Sequence, residues 1–204
     1  CQSYQWAAQY PKMVKAILPF CASSKTSIHN HVFLEGVKAA LVADKNWKNG
    51  NYKKQPKAGL KAFGRVYAGW AFSQDFYREK LYKKFGFKNA EDLLKDWATD
   101  HAKNWDANDL LLKLQTWQSN DISKGPLYNN NYIKALKSIR AKTILMPCNQ
   151  DLYFRTEDNE YENNFISRSS LRPIDSPYGH CAANPGNDKN FERELDKNIN
   201  ELLY

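Results

Sequence analysis

Asp175-Ser176-Pro177-Tyr178-Gly179-His180, taken together with Asn149-Gln150-Asp151 upstream, decides the fold. Asp151 follows a short apolar run, Thr143-Ile144-Leu145-Met146-Pro147. It therefore stands just past the carboxyl end of a strand, where the catalytic groups of open α/β sheets collect. His180 follows a second strand-like run near residues 170–174, in a loop that contains Gly179. A lone loop Asp ordinarily caps a turn. A later His in this order points instead to an acid–base pair: the carboxylate fixes one imidazole tautomer and steadies its charged form. The imidazole takes a proton from a nucleophile and later returns it. Where chain order runs nucleophile, acid, His, the nucleophile belongs upstream on a strand-to-helix turn. The chain opens inside what reads as that helix, Cys1-Gln2-Ser3-Tyr4-Gln5-Trp6. The attacking residue is thus expected in a missing amino-terminal half.

Around this pair the periodicity alternates between two kinds. Residues 1–9 read as a helix stopped by Pro11. Val14-Lys15-Ala16-Ile17-Leu18-Pro19-Phe20 reads as a buried strand, with further strands near residues 142–147 and 170–174. Phe191, Leu195, Ile199 and Leu202 form the stripe of a terminal helix packed on a sheet. This alternation predicts an incomplete parallel α/β sheet. Between residues 25 and 139 strand-like runs vanish and helical periods take over. Helices are expected at His31–Asp44, Ala58–Phe72, Asp75–Lys84, Ala90–Asp100, Asn108–Asn120 and Asn131–Ser138. The organisation expected is a core from residues 1–24 and 140–204, with 25–139 inserted as a helical lid.

Bulk properties bound the rest. A chain of 204 residues with 14% aromatic and 25% charged residues can bury one sizeable core. The net charge of +8 comes from scattered lysines without a nucleic-acid-binding signature, so no nucleic acid is expected as a partner. A solvated lysine surface explains it; attraction of an anionic co-substrate such as an acyl-CoA is the functional alternative. No apolar run reaches the length of a membrane span, and no membrane is expected. Cys1, Cys21, Cys148 and Cys181 form no C-x-x-C pair, which argues against a zinc site or a disulfide framework. Cys21 and Cys148 are expected to act as small hydrophobes in a reducing, cytoplasmic setting. His29, His31 and His101 match no zinc spacing and are expected to be surface or lid residues, with metal binding absent. An N-terminal-nucleophile role for Cys1 conflicts with its place at the start of a helix.

Several segments carry a family resemblance. Tyr4-Gln5-Trp6-Ala7-Ala8-Gln9-Tyr10-Pro11, Ser27-Ile28-His29-Asn30, Phe33-Leu34-Glu35, Asp106-Ala107-Asn108-Asp109 and the Asp175–His180 loop together resemble the carboxyl-terminal part of the homoserine O-acetyltransferase family of α/β-hydrolases. The run Asp44-Lys45-Asn46-Trp47-Lys48-Asn49-Gly50-Asn51-Tyr52 belongs to the same likeness. The resemblance implies an α/β-hydrolase fold and a serine nucleophile about four residues before Cys1. It implies Asp151 as triad acid and His180 as triad base. The implied activity is acetyl transfer from acetyl-CoA to a small hydroxyl acceptor through an acyl-serine, with no permanently bound cofactor. Arg65 best matches the family's substrate-binding lid arginine, one residue out of register. Cys181 stands where homoserine acetyltransferases carry an Asp that holds the substrate's amine. Implied partners are the acyl-CoA, the acyl acceptor, the missing amino-terminal half and a second copy in a homodimer. A serine hydrolase of the same fold and a catalytically inactive interaction module are the alternatives. Tyr67, Trp70, Phe72 and Trp117 are expected either to pack between lid helices or to line an acceptor pocket.

Overall fold

A computed structural model of the chain describes residues 1–184 and 186–204. In chain order the elements are α1 (Gln2–Gln9), β1 (Ala16–Ile17), α2 (Ile28–Val42), α3 (Lys57–Ala71), α4 (Gln74–Arg78), α5 (Ala90–Asn104), α6 (Ala107–Gln118), α7 (Tyr132–Ser138), β2 (Lys142–Leu145), α8 (Thr156–Asn163), β3 (Ser169–Leu171) and α9 (Lys189–Leu203). They form two compact units, one of residues 1–27 and 120–204, the other of residues 28–119. No helix among the described residues is long and apolar enough to cross a membrane.

The first unit is built on a parallel sheet in the order β1-β2-β3. Ile17 lies beside Thr143, and Leu145 beside Leu171. Central β2 is apolar on both faces because both are covered, as parallel sheets require; Ile144 and Leu145 are buried. The expected strand at 14–20 is cut short by chemistry. Pro19 has no N–H to give the ladder, so it pairs only through its carbonyl, which accepts from the Met146 N–H at 2.9 Å, and the Cys21 N–H then donates to the Met146 carbonyl at 3.2 Å. Pro147 plays the same part on β2, accepting from Ile174.

Tyr4, Ala8, Ile17, Leu136, Ile139 and Leu145 belong to one buried cluster. Burying each of the larger aliphatic side chains stabilises by about 2 kcal/mol. Residues 120–139, read from sequence as part of the inserted block, pack in this unit. Ile122, Tyr128 and α7 give their apolar faces to the cluster. Helix α9 lies against the sheet slightly rotated from its expected stripe: Phe191 and Asn198 are buried, whereas Ile199 is exposed. The Asn198 amide meets the Met146 sulfur at 3.7 Å and the Glu194 carbonyl at 2.8 Å, so a polar residue is accepted where an apolar one was expected.

The unit of residues 28–119 is helical. Two glycines set its spacing: a Cβ on Gly59 would lie 2.3 Å from the Leu41 carbonyl, and one on Gly64 2.6 Å from that of Trp97. Helix α3 therefore touches α2 and α5 backbone to side, an approach that any larger residue would wedge apart. Asp106 caps α6, accepting from the N–H groups of Asn108 and Asp109, and Asn89 caps α5. The single helix expected over 75–84 is two pieces, α4 and a 3-10 turn at Leu81–Phe85. Lys80 between them adopts φ 56°, which ends a right-handed helix. Tyr67, Trp70, Phe72 and Trp117 meet other rings of the unit: Phe33 contacts Tyr67, Trp70 and Trp117, and Phe72 stacks on Phe76.

Candidate active site

The loop after β2 folds tightly around Asp151. Its own N–H returns to the Cys148 carbonyl at 3.0 Å. Its Oδ1 then accepts the N–H groups of Tyr153 at 2.7 Å and Phe154 at 3.2 Å. This is the turn that Asp forms readily with the backbone just ahead of it, and it turns Oδ2 the other way. Asn149 ties the loop outward, its amide donating to Asp175 at 2.7 Å while its oxygen accepts from Thr156 at 2.9 Å.

The second loop brings the imidazole. Gly179 sits at φ 60°, a left-handed turn that glycine reaches without strain, and starts a 3-10 segment, Gly179–Ala183. Ser176 braces that loop, donating to Asp188, the residue that caps α9. His180 Nδ1 then lies 2.9 Å from Asp151 Oδ2. A carboxylate only accepts, so Nδ1 carries the proton and Nε2 is left with its lone pair. The Asp151 side chain is fully buried, whereas His180 remains 32% exposed. Tyr153 meets the imidazole edge-on at 4.8 Å, and Phe154 packs at 5.5 Å. The ring is held in place on one side and open on the other.

Cys21 completes the surroundings of Asp151 in a way that its sequence context hid. It was expected to be a small hydrophobe at a strand end. It is buried, as expected, but its thiol lies within 4.8 Å of the Asp151 carboxylate, and its backbone takes φ 43°, unusual for a buried non-glycine residue. Burial and the adjacent carboxylate hold this thiol well above its ordinary pKa. Cys21, Asp151 and His180 offer donor atoms within 4.8 Å of one another, the one such group of three among the described residues. His180 Nδ1 already shares its proton with Asp151, so the set is centred on one acid. Cys181, next to the imidazole in sequence, is buried, and its thiol is pushed up to about 12 by desolvation. It is neutral at physiological pH.

A second buried acid went unnoticed in the sequence. Glu162, on α8, accepts from the Tyr4 hydroxyl, the Ser24 N–H at 2.7 Å, the Ser24 hydroxyl at 2.8 Å and the Asn159 amide at 2.8 Å. Its helix is polar on every side, so no apolar period announced it. Arg65 belongs to the other unit, where its guanidinium forks onto Glu91 at 3.1 and 2.7 Å, both groups being exposed. His29 contacts Trp70, and His101 is buried in the aromatic packing, donating from Nδ1 to the Trp97 carbonyl at 2.8 Å.

No protein-family model matches the chain. The ethyl acetate hydrolase of Pseudomonas veronii is 29% identical over 204 residues, covering 99% of this chain and 58% of its own length. A homoserine O-acetyltransferase of Trichormus variabilis is 27% identical over 188 residues, covering 89% of this chain and 51% of its own length. Among solved structures, the acetyl esterase MekB superposes with a TM-score of 0.93 at 29% identity, over 98% of this chain and 58% of that one. The chain thus spans a little over half the length of these relatives. Its parallel sheet, its acid-then-His order and these relatives agree: the chain has an incomplete α/β-hydrolase fold and is similar both to esterases and to homoserine O-acetyltransferases.

Proposed function

We propose that the protein carrying this chain hydrolyses small acyl esters through an acyl-serine, with Asp151 and His180 as the acid and base of its triad. The observation that carries this reading is the Asp151–His180 contact, with Nδ1 committed and the ring partly open to solvent. In the first step His180 Nε2 takes the serine proton as the oxygen attacks the ester carbonyl. It then returns that proton to the departing alcohol. In the second step the same nitrogen takes a proton from water, which attacks the acyl-serine, and returns that proton to the serine oxygen as the acid departs. Asp151 stays ionised throughout and stabilises the imidazolium.

Water is favoured as acceptor by Cys181. A neutral, buried thiol cannot hold a substrate ammonium as a carboxylate would. The esterase relatives support the same choice. Acetyl transfer from acetyl-CoA to a small hydroxyl acceptor is the second reading, favoured by the homoserine O-acetyltransferase relative and by a net charge of +8 that suits an anionic donor.

Side-by-side assays separate the two: hydrolysis of ethyl acetate and p-nitrophenyl acetate, against acetyl-CoA consumption with L-homoserine, with a neutral alcohol and with no acceptor. Ester hydrolysis with acceptor-independent turnover is expected. Turnover of acetyl-CoA that saturates with L-homoserine, with negligible ester hydrolysis, would replace this reading by the second. Failure of a serine-reactive fluorophosphonate to label the folded protein would reject both and favour an interaction module.

A further inference from the structure

Helix α5 and its final turn present two parallel ridges. Trp97, His101 and Trp105 recur every fourth residue, and Asp96 and Asp100 recur beside them. The spacing places each set along one line of the helix surface. The rings are close to parallel: Trp97 and His101 are 5.9 Å apart at 20°, and His101 and Trp105 are 6.2 Å apart at 25°. Tyr67 of α3 extends the stack, 6.3 Å from Trp97 at 29°. These six residues, all within the helical unit, line a cavity of about 280 Å³.

The lining chemistry selects for one kind of ligand. Ring faces carry partial negative charge, and two carboxylates stand beside them with no Lys or Arg in the lining. Asp100 is fixed in place, accepting from Trp105 Nε1 at 3.1 Å and from the Asn104 amide at 2.7 Å. Such a wall repels anions and offers a neutral apolar ligand nothing for its charge. A hard metal ion would need oxygen donors on most sides, which the rings do not provide. A compact cation with an apolar shell fits both ridges at once, as in aromatic cages. The chain already uses one of these rings in this way, since the Lys113 ammonium lies 4.0 Å from the Trp105 ring centre.

We propose that this cavity binds a small organic cation of the quaternary-ammonium type, in competition with Lys113 for the face of Trp105. Asp96 and Asp100 supply the charge, Trp105 the face that Lys113 now covers, and Tyr67 and Trp97 the apolar wall.

Calorimetric titration with choline, and with its neutral isostere 3,3-dimethyl-1-butanol, tests the assignment. Saturable choline binding is expected, with the isostere weaker by about tenfold or more. Asp96→Asn combined with Asp100→Asn should weaken choline about tenfold, and added salt should erode the difference. Both side chains are exposed, so the variant should fold, which its melting curve would verify. Lys113→Met should tighten choline about threefold by removing the internal competitor. Equal binding of the neutral isostere, indifference to the double Asn change, or no binding in either wild type or Lys113→Met would each overturn the proposal.

Discussion

Asp151 and Glu162 are two carboxylates of one unit, each only 1% exposed, and their surroundings are opposite in kind. Glu162 is saturated by hydroxyls, an amide and a backbone N–H. None of these donors changes charge near neutral pH, and burial raises its carboxyl above the ordinary carboxylate range. The same burial, together with this acid, pushes the phenols of Tyr4 and Tyr132 upward. Asp151 also accepts backbone N–H groups, but its remaining oxygen faces an imidazole that reaches solvent. The difference teaches that burial alone does not mark a working acid. A titratable partner with one open side is what makes Asp151, and not Glu162, the candidate.

The largest effect should come from breaking the open pair. Under the proposed hydrolysis, His180→Ala and Asp151→Asn should each lower kcat by about a thousandfold or more, with little change in Tm. The first removes the proton carrier; the second favours the wrong tautomer. Retention of more than about a tenth of the rate by either variant would abolish the distinction drawn between the two acids.

Glu162→Ala should do the reverse. Leaving the donors of Tyr4, Ser24 and Asn159 buried and unmatched should cost about 4 kcal/mol in chemical denaturation. The folded fraction should keep kcat within about threefold. A large loss of kcat at unchanged stability would instead make Glu162 part of the chemistry.

The raised pKa of Glu162 gives a pH test whose sign is fixed. The folded state binds this proton more tightly than the unfolded state. Its contribution to stability is therefore fully present below the ordinary value of 4.5 and is lost as pH rises through the higher folded value. Denaturation free energies measured from pH 4 upward should fall more steeply in wild type than in Glu162→Gln. Parallel curves would mean that the hydrogen bonds fully offset burial.

Cys21 should give the smallest effect and the sharpest view of Asp151. Cys21→Ser keeps a donor and should retain activity within about threefold. Cys21→Ala leaves a void beside the Asp151 carboxylate and should cut kcat/KM about tenfold. Cys21→Gly should melt higher than Cys21→Ala, because φ 43° suits glycine. Equal kcat/KM for the Ser and Ala variants would reduce the thiol to packing.

What could be read from sequence follows the physics of each signal. β2 was legible because a short apolar run ending at Pro147 has few alternatives, and α6 because Asp106 announces its cap. The Asp151–His180 pair was legible through chain order and strand ends. Helix α8 was not: its buried residues, Asn159 and Glu162, are polar, and hydrophobic periodicity cannot show a face that is polar on both sides. The burial of Cys21 was legible at its strand end, but its closeness to Asp151 was not, because the two lie 130 positions apart. The stripe of α9 was nearly right. It was displaced by one residue because Asn198 found both a sulfur and a carbonyl to satisfy it.

The tie between Tyr4 and Glu162 joins residues 158 positions apart, and the unit it closes is interrupted by residues 28–119. This has a consequence for the order of events at the ribosome. Translation proceeds at about 5–20 residues per second, so residues 1–27 emerge many seconds before the strand and the acid they pair with. The helical unit is contiguous and rich in local contacts, and can form during that interval. β1 meanwhile waits for its partner β2, beside the exposed apolar side chains of Trp6, Tyr10 and Met13. A nascent chain stalled before Lys142 is emitted would offer that segment to any holdase, and release past Asn163 would be the moment at which it is withdrawn.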